Sequence, residues 1–209
     1  MEIFKIVNVK ISLLGNGGVG KTSIKRVFTG QPMQRNYSAT IGSEFVIKDY
    51  NYKTTYGETA RLRYLIYDLA GQPRFTSVRR NYIMGSNAGI FVYDVSNRTS
   101  LDTLTNWLME FKSVIRQNVP LVLVANKIDL RESNSASFIT TEEGLQVAEK
   151  LKEMTGFGAR NKFHFTEVSA LQNINIDEIF HYIAENIYQD YIAEGKYNVS
   201  DARGIRRRL

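Results

Sequence analysis

Eight residues, "GNGGVGKT" from Gly15 to Thr22, bring four glycines, a lysine and a hydroxyl into one short stretch. Glycines at this density let the backbone turn tightly enough for successive N–H groups to point at a single anion. The apolar run "FKIVNVKIS" before it reads as a strand and "SIKRVFTG" after it as a helix, whose N-terminal positive potential adds to the cradle. In that context the pattern G-x-x-x-x-G-K-[ST] is a phosphate-binding loop. Lys21 supplies a point charge for the outer phosphates and Thr22 a hydroxyl for Mg²⁺.

A phosphate cradle does not choose the base. "NKID", Asn126 to Asp129, directly follows the apolar run "LVLVA" and contains a residue that could. A buried Asp129 carboxylate accepts both hydrogen bonds that guanine donates, from N1–H and from the 2-amino group. Adenine has an acceptor at N1 and no 2-amino donor, so it would leave a buried charge unpaired. Polar complementarity of this kind discriminates by roughly 10⁴ to 10⁵.

Periodicity indicates which elements hold these groups. Runs rich in Ile, Val, Phe and Tyr read as strands: "FKIVNVKISLL", "EFVIKDYNY", "ARLRYLIYDLA", "AGIFVYDV", "VPLVLVANK" and "KFHFTEVSA". Helix-like segments at 21–29, 100–117, 141–155 and 176–193 separate most of them, which predicts a doubly wound, largely parallel α/β sheet. The second and third strands are joined by "NYKTTYGET" with no helix between, so they form an antiparallel hairpin at one edge of a mixed sheet. Thr140 and Glu143 fit a capping box, and Ile176, Ile179, Phe180, Ile183, Ile187 and Ile192 share one face of the terminal helix. In this layout "GNGGVGKT", "DLAGQ" (Asp68 to Gln72), "NKID" and "SAL" (Ser169 to Leu171) each lie just past the carboxyl end of a strand. Open α/β sheets bind ligands along that edge.

The 209 residues, 43% of them apolar, suffice for one domain with a sizeable core, expected at 1–194. Residues 195–209, ending "GIRRRL", lack periodicity and read as a basic, flexible tail. The absence of cysteine excludes disulfides and thiolate metal sites. There is no signal-peptide layout, and no apolar run nears the ~18 residues of a membrane span. A cytoplasmic monomer is expected. The net charge of +6 reads as a solvated surface, with no nucleic-acid partner expected.

"FKIVNVKISLLGNGGVGKTS", "YSATIGSEF", "YDLAGQPRF", "GIFVYDVSN", "VANKIDL" and "TEVSAL", in this order, resemble the successive blocks of small GTPases of the Ras superfamily, closest to its Rab-like branch. The similarity runs from about Phe4 to Ile192. It implies a P-loop GTPase fold, with a six-stranded mixed sheet flanked by five helices and GTP or GDP bound with Mg²⁺ at the strand ends. It further implies a molecular switch that hydrolyses GTP slowly without help, with effector, exchange-factor and GTPase-activating proteins as partners.

Residue by residue, the resemblance implies that Gly15, Gly17, Gly18, Val19, Gly20, Lys21, Thr22 and Ser23 hold the phosphates. Tyr37, Thr40 and Gly71 join them, while Asn126, Lys127, Asp129, Ser169, Ala170 and Leu171 surround the base, with the Ala170 N–H at the guanine oxygen. Thr22 and Thr40 would ligate Mg²⁺, and Asp68 would hold it through water. The Thr40 backbone and the Gly71 N–H would reach the γ-phosphate from opposite sides, so its loss would free both loops. Gln72 would orient the attacking water, since phosphoryl transfer requires positioning and charge stabilisation. Gly17 leaves room for Gln72 or for a partner's arginine, worth roughly 10³ to 10⁵ in rate.

The chain also departs from the family. Leu171 stands where lysine is usual and Met33 where an aromatic is usual. Pro73 replaces a common glutamate and restricts Gln72 away from helical geometry. The prenylated cysteines of the Rab-like branch have no counterpart, which leaves Arg203, Arg206, Arg207 and Arg208 for weak, transient contact with anionic lipid. Arg74, Arg79 and Arg80 read as a solvated or partner-facing surface, and Trp107, His164 and His181 as packing residues. Two alternatives stay open: a GTP-binding scaffold with little or no hydrolysis, and a P-loop small-molecule kinase, against which "NKID" and "DLAGQ" stand.

Overall fold

In the computed structural model, the apolar runs form one mixed sheet of six strands in the order β2-β3-β1-β4-β5-β6. The strands are β1 (Val7–Leu14), β2 (Ser43–Lys53), β3 (Thr59–Leu69), β4 (Ala88–Asp94), β5 (Leu121–Asn126) and β6 (Phe163–Val168). The helices are α1 (Lys21–Thr29), α2 (Thr76–Ile83), α3 (Arg98–Asp102), α4 (Leu104–Val114), α5 (Thr141–Thr155) and α6 (Ile176–Ala193). The structure describes residues 6–32, 43–54, 57, 59–71, 76–133, 138–158 and 161–194, with the backbone alone at 76–78 and 132–133. Tyr37, Thr40 and Gln72, together with Met33, Pro73, Arg74 and the tail, lie outside them.

β2 pairs antiparallel with β3, from Ser43 opposite Leu69 to Lys53 opposite Thr59, and every other pairing is parallel. The edge hairpin is therefore as the sequence predicts. β4 and β5 are buried along their whole length, as interior strands covered on both faces must be. The two-residue period of a strand divides the core into two layers. Val9, Ile11, Ile90, Val92, Val122 and Val124 face Ile24 and Phe28 of α1 and the apolar stripe of α6. Phe91, Tyr93, Leu121, Leu123 and Ala125 face Trp107, Leu108 and Phe111 of α4, with Leu151 of α5. Since α1 leaves β1 on one face while α3 and α4 leave β4 on the other, a crevice opens between the carboxyl ends of these neighbouring strands.

Local signals set the helix ends. Thr140 and Glu143 form the expected capping box of α5, and Gly156 closes that helix at φ +75°. The segment predicted as one helix over 100–117 is instead divided at Thr103. There the hydroxyl donates back to Thr99 O and also reaches Asn16 Oδ1 at 3.1 Å. Ile115 then turns extended and ends α4.

Candidate functional site

β1 delivers the chain at Gly15 into the glycine-rich loop. Gly15 has φ +136°, and a Cβ on it would lie 2.2 Å from Val92 O of β4. Gly20, at φ +101°, would bring a Cβ to 2.1 Å from Asn126 Nδ2. Neither position admits an L side chain. Lys21 opens α1, is buried, and folds back to donate to Gly15 O and Asn16 O, both at 2.8 Å. Burial pushes its pKa down to about 8, Asp68 pulls it back up, and Arg79 lowers it again. A phosphate in the loop would restore the preference for the charged ammonium.

Asp68, near the end of β3, is fully buried. Its Oδ2 accepts the Thr22 hydroxyl at 2.5 Å and lies 3.3 Å from Lys25 Nζ, while Oδ1 has no hydrogen-bond partner. A hydroxyl beside a buried carboxylate with one oxygen unengaged fits a hard cation. Among the described residues no group of three or more His, Cys, Asp or Glu could hold a metal. A cation here would therefore draw most of its shell from water and phosphate, as Mg²⁺ does. Gly71 packs directly on the glycine-rich loop: a Cβ would meet Asn16 C and Gly17 N at 2.4 Å.

Asn126, the last residue of β5, ties the two halves of the crevice together. Its Nδ2 donates to Val19 O at 2.8 Å and its Oδ1 accepts the Ala170 N–H at 3.1 Å. That N–H, which the resemblance assigns to the guanine oxygen, here serves the loop tie. Lys127 adopts φ +69°, uncommon for a residue with a side chain, and its Nζ pairs with Asp94 Oδ2 at 2.6 Å. Asp129 lies in a 3₁₀ turn (Ile128–Ser133) and accepts the Ser169 hydroxyl on Oδ1. Ser169 is fully buried and its loop closes through paired backbone bonds with Ile174, whereas Leu171 is 71% exposed.

The family model described as Ras family matches residues 10–189. The chain belongs to the Ras family, in its Rab-like branch. The GTPase is 31% identical over 202 residues to Ras-related protein RabC of Dictyostelium discoideum, covering 95% of each chain. It is 32% identical over 182 residues to Ras-related protein Rab7 of Pisum sativum, covering 85% of this chain and 81% of that one. Ras-related protein Rab-30 of Homo sapiens is 36% identical over 171 residues, 82% of this chain and 75% of the relative. Membership of this family carries GTP hydrolysis as the activity.

Of the residues predicted from sequence, the GTPase brings Gly15 to Ser23, Asp68, Gly71, Asn126 to Asp129 and Ser169 to Leu171 to one edge of the sheet. Periodicity alone did not reveal several of their supports. Trp107, expected only to pack, also donates from Nε1 to Asn16 Oδ1 at 2.8 Å. Arg79, expected at the surface, is buried: Nε and Nη2 each reach Glu110 at 2.9 Å, Nη1 reaches Ala70 O at 3.3 Å, and the guanidinium lies over the Trp107 ring. A buried, bidentate position explains the correction, since its partner sits 31 residues away on α4. Lys25 falls on the same helix face as Lys21 and Phe28, a stripe in which a lysine is out of character and therefore informative.

Proposed function

We propose that this GTPase is a guanine-nucleotide switch whose site comprises the residues gathered at the strand ends. The observation that carries this reading is the Asn126 tie from Val19 O to the Ala170 N–H. It makes the phosphate loop and the base loops one rim, so that a ligand would be held at both its phosphates and its base. Gly15 to Ser23 hold the phosphates, with Lys21 released from its own loop carbonyls to meet them. Asp129, steadied by the Ser169 hydroxyl, accepts the two guanine donors. Lys127, Ala170 and Leu171 shape the base pocket, while Tyr37 and Thr40, in the segment before β2, join the residues that hold the phosphates.

Thr22 and Thr40, with Asp68 acting through water, would hold Mg²⁺, which when bound would supply neutralising charge to the phosphates. Gly71 abuts the backbone of Asn16 and Gly17. Gln72 is the next residue in the sequence, and we assign it the orientation of the attacking water. Loss of the γ-phosphate removes what the Thr40 and Gly71 backbones grip, and both segments relax. Arg79 is committed to Glu110 and Ala70, so we assign the stabilisation of transition-state charge to an arginine from an activating protein and expect slow unassisted turnover.

The outer edge strand favours partner binding. Phe45 and Ile47 of β2 are 62% and 54% exposed, immediately after the segment that contains Thr40, and Phe45 stacks on Tyr67 at 5.5 Å. An apolar patch beside a nucleotide-sensitive loop suits effectors that read the switch. The similarity to Rab proteins supports a role in membrane trafficking. No helix among the described residues is long and apolar enough to cross a membrane. We assign the switch to 1–194 and transient lipid contact to the arginines of 195–209.

Single-turnover hydrolysis of bound GTP tests the assignment. Wild type should hydrolyse slowly, and Gln72→Leu at least tenfold more slowly. Equal rates would favour the scaffold alternative.

A further inference from the structure

Lys25 is the buried charge that the nucleotide-binding scheme leaves unused. It sits on the inner face of α1, one turn beyond Lys21, and is 4% exposed. Its Nζ lies 3.3 Å from Asp68 Oδ2 and 3.0 Å from Glu44 Oε2, the second residue of β2. The same Asp68 oxygen accepts the Thr22 hydroxyl, so the ammonium stands one residue removed from the hydroxyl assigned to the metal. Lys21 is near enough to feel Asp68, but its Nζ is taken by Gly15 O and Asn16 O. Among the described residues, Lys25 is therefore the cation in direct contact with this carboxylate.

A fully buried carboxylate needs a countercharge. Where the metal alone supplies it, metal removal strands the anion, and the strand end that bears it loosens. Where an ammonium stays in contact, metal removal leaves the anion paired. Through Glu44 the same ammonium also anchors the start of β2, directly after the segment that contains Thr40. A fixed positive charge beside a cation site also weakens the binding of a second cation by simple repulsion.

We propose that Lys25 is a positioning residue that stands in for the divalent cation at Asp68. It lowers the site's affinity for Mg²⁺ and preserves nucleotide retention when Mg²⁺ is absent. This inference rests on the guanine-nucleotide and Mg²⁺ reading above, and concerns how strongly the two are coupled.

The test measures release of a fluorescent GDP analogue from full-length wild type, Lys25→Met, Lys25→Arg and Glu44→Gln, across a Mg²⁺ titration and in excess EDTA. Thermal unfolding in saturating Mg²⁺ identifies which variants are folded. In EDTA, Lys25→Met should release nucleotide at least tenfold faster than wild type, while the rates in saturating Mg²⁺ stay within about threefold. The Mg²⁺ concentration giving half-maximal protection should fall at least fivefold in Lys25→Met. Lys25→Arg, which keeps the charge, should resemble wild type, and Glu44→Gln should fall between. A residue that only packed α1 would change release equally with and without metal. Equal EDTA rates and an unmoved Mg²⁺ midpoint in Lys25→Met overturn the proposal, as does an unfolded Lys25→Met accompanied by a Lys25→Arg whose midpoint matches that of Glu44→Gln. Failure of the wild type to bind the GDP analogue would instead overturn the underlying nucleotide reading.

Discussion

Truncating Asn126 to alanine should loosen both halves of the site at once. The side chain is 1% exposed and makes two bonds, to Val19 O at 2.8 Å and from the Ala170 N–H at 3.1 Å. Val19 and Ala170 are themselves buried, so truncation leaves a carbonyl and an N–H without partners. Each such group costs about 1–3 kcal/mol, for a total of about 3–4 kcal/mol at the middle of that range. In a chain of this size about 2–4 °C of Tm accompanies each kcal/mol, so unfolding should move down by roughly 10 °C. Gly20→Ala supplies an internal check. In wild type its Cβ collides with Asn126 Nδ2, displacing both bonds, and φ +101° adds strain of about 1–3 kcal/mol. With Asn126→Ala already present only the strain remains, so the double variant should be about 3 kcal/mol more stable than additivity predicts. Calorimetry on the four proteins, with exposed Leu171→Ala as control, decides the matter. Additive losses, or an Asn126→Ala variant as stable as the control, would refute the tie.

Three further outcomes are expected. Asp129→Asn should shift base preference from guanine toward xanthine nucleotides, because an amide can donate to the xanthine oxygen; unchanged GTP selectivity in a competition assay would contradict the base assignment. Arg79→Ala strands Glu110 in a largely buried pair, which should cost about 3–5 kcal/mol, against less than about 0.5 for exposed Arg80→Ala, measured by chemical denaturation. Burial raises the pKa of Tyr64 and Tyr93 and pushes that of Tyr182 up to about 12. The unfolded chain gives up these protons near pH 10 while the fold retains them, so stability should fall as pH rises from about 10 to 12. Replacing Tyr182 with phenylalanine should make that fall shallower in thermal melts.

The parts most legible in the sequence were those whose chemistry is local. The glycines from Gly15 to Gly20 announce a backbone requirement, which the positive φ angles of Gly15, Gly18 and Gly20 bear out. Apolar runs rich in β-branched and aromatic residues place β1, β4 and β5, and the missing helix between "EFVIKDYNY" and "ARLRYLIYDLA" places the antiparallel edge. Contacts across long separations were not legible. Asn16 meets Trp107 across 91 residues, and no local pattern marks an asparagine side chain as an acceptor for an indole. Arg79 looked like surface because a charge of either location reads alike in a short helix; only the packing of α2 beside α4 reveals Glu110. The break at Thr103 has no mark in the sequence because threonine tolerates a helix until its hydroxyl finds another acceptor, here Asn16.

The most direct measurement is to release and chromatograph the nucleotide that accompanies the purified protein, then challenge the complex with a hundredfold excess of ATP or GTP. GDP or GTP in nearly equal proportion to protein, displaced by GTP and not by ATP, is the predicted result. Displacement by ATP as effective as by GTP, or a protein that takes up no guanine nucleotide at saturation, would contradict the account.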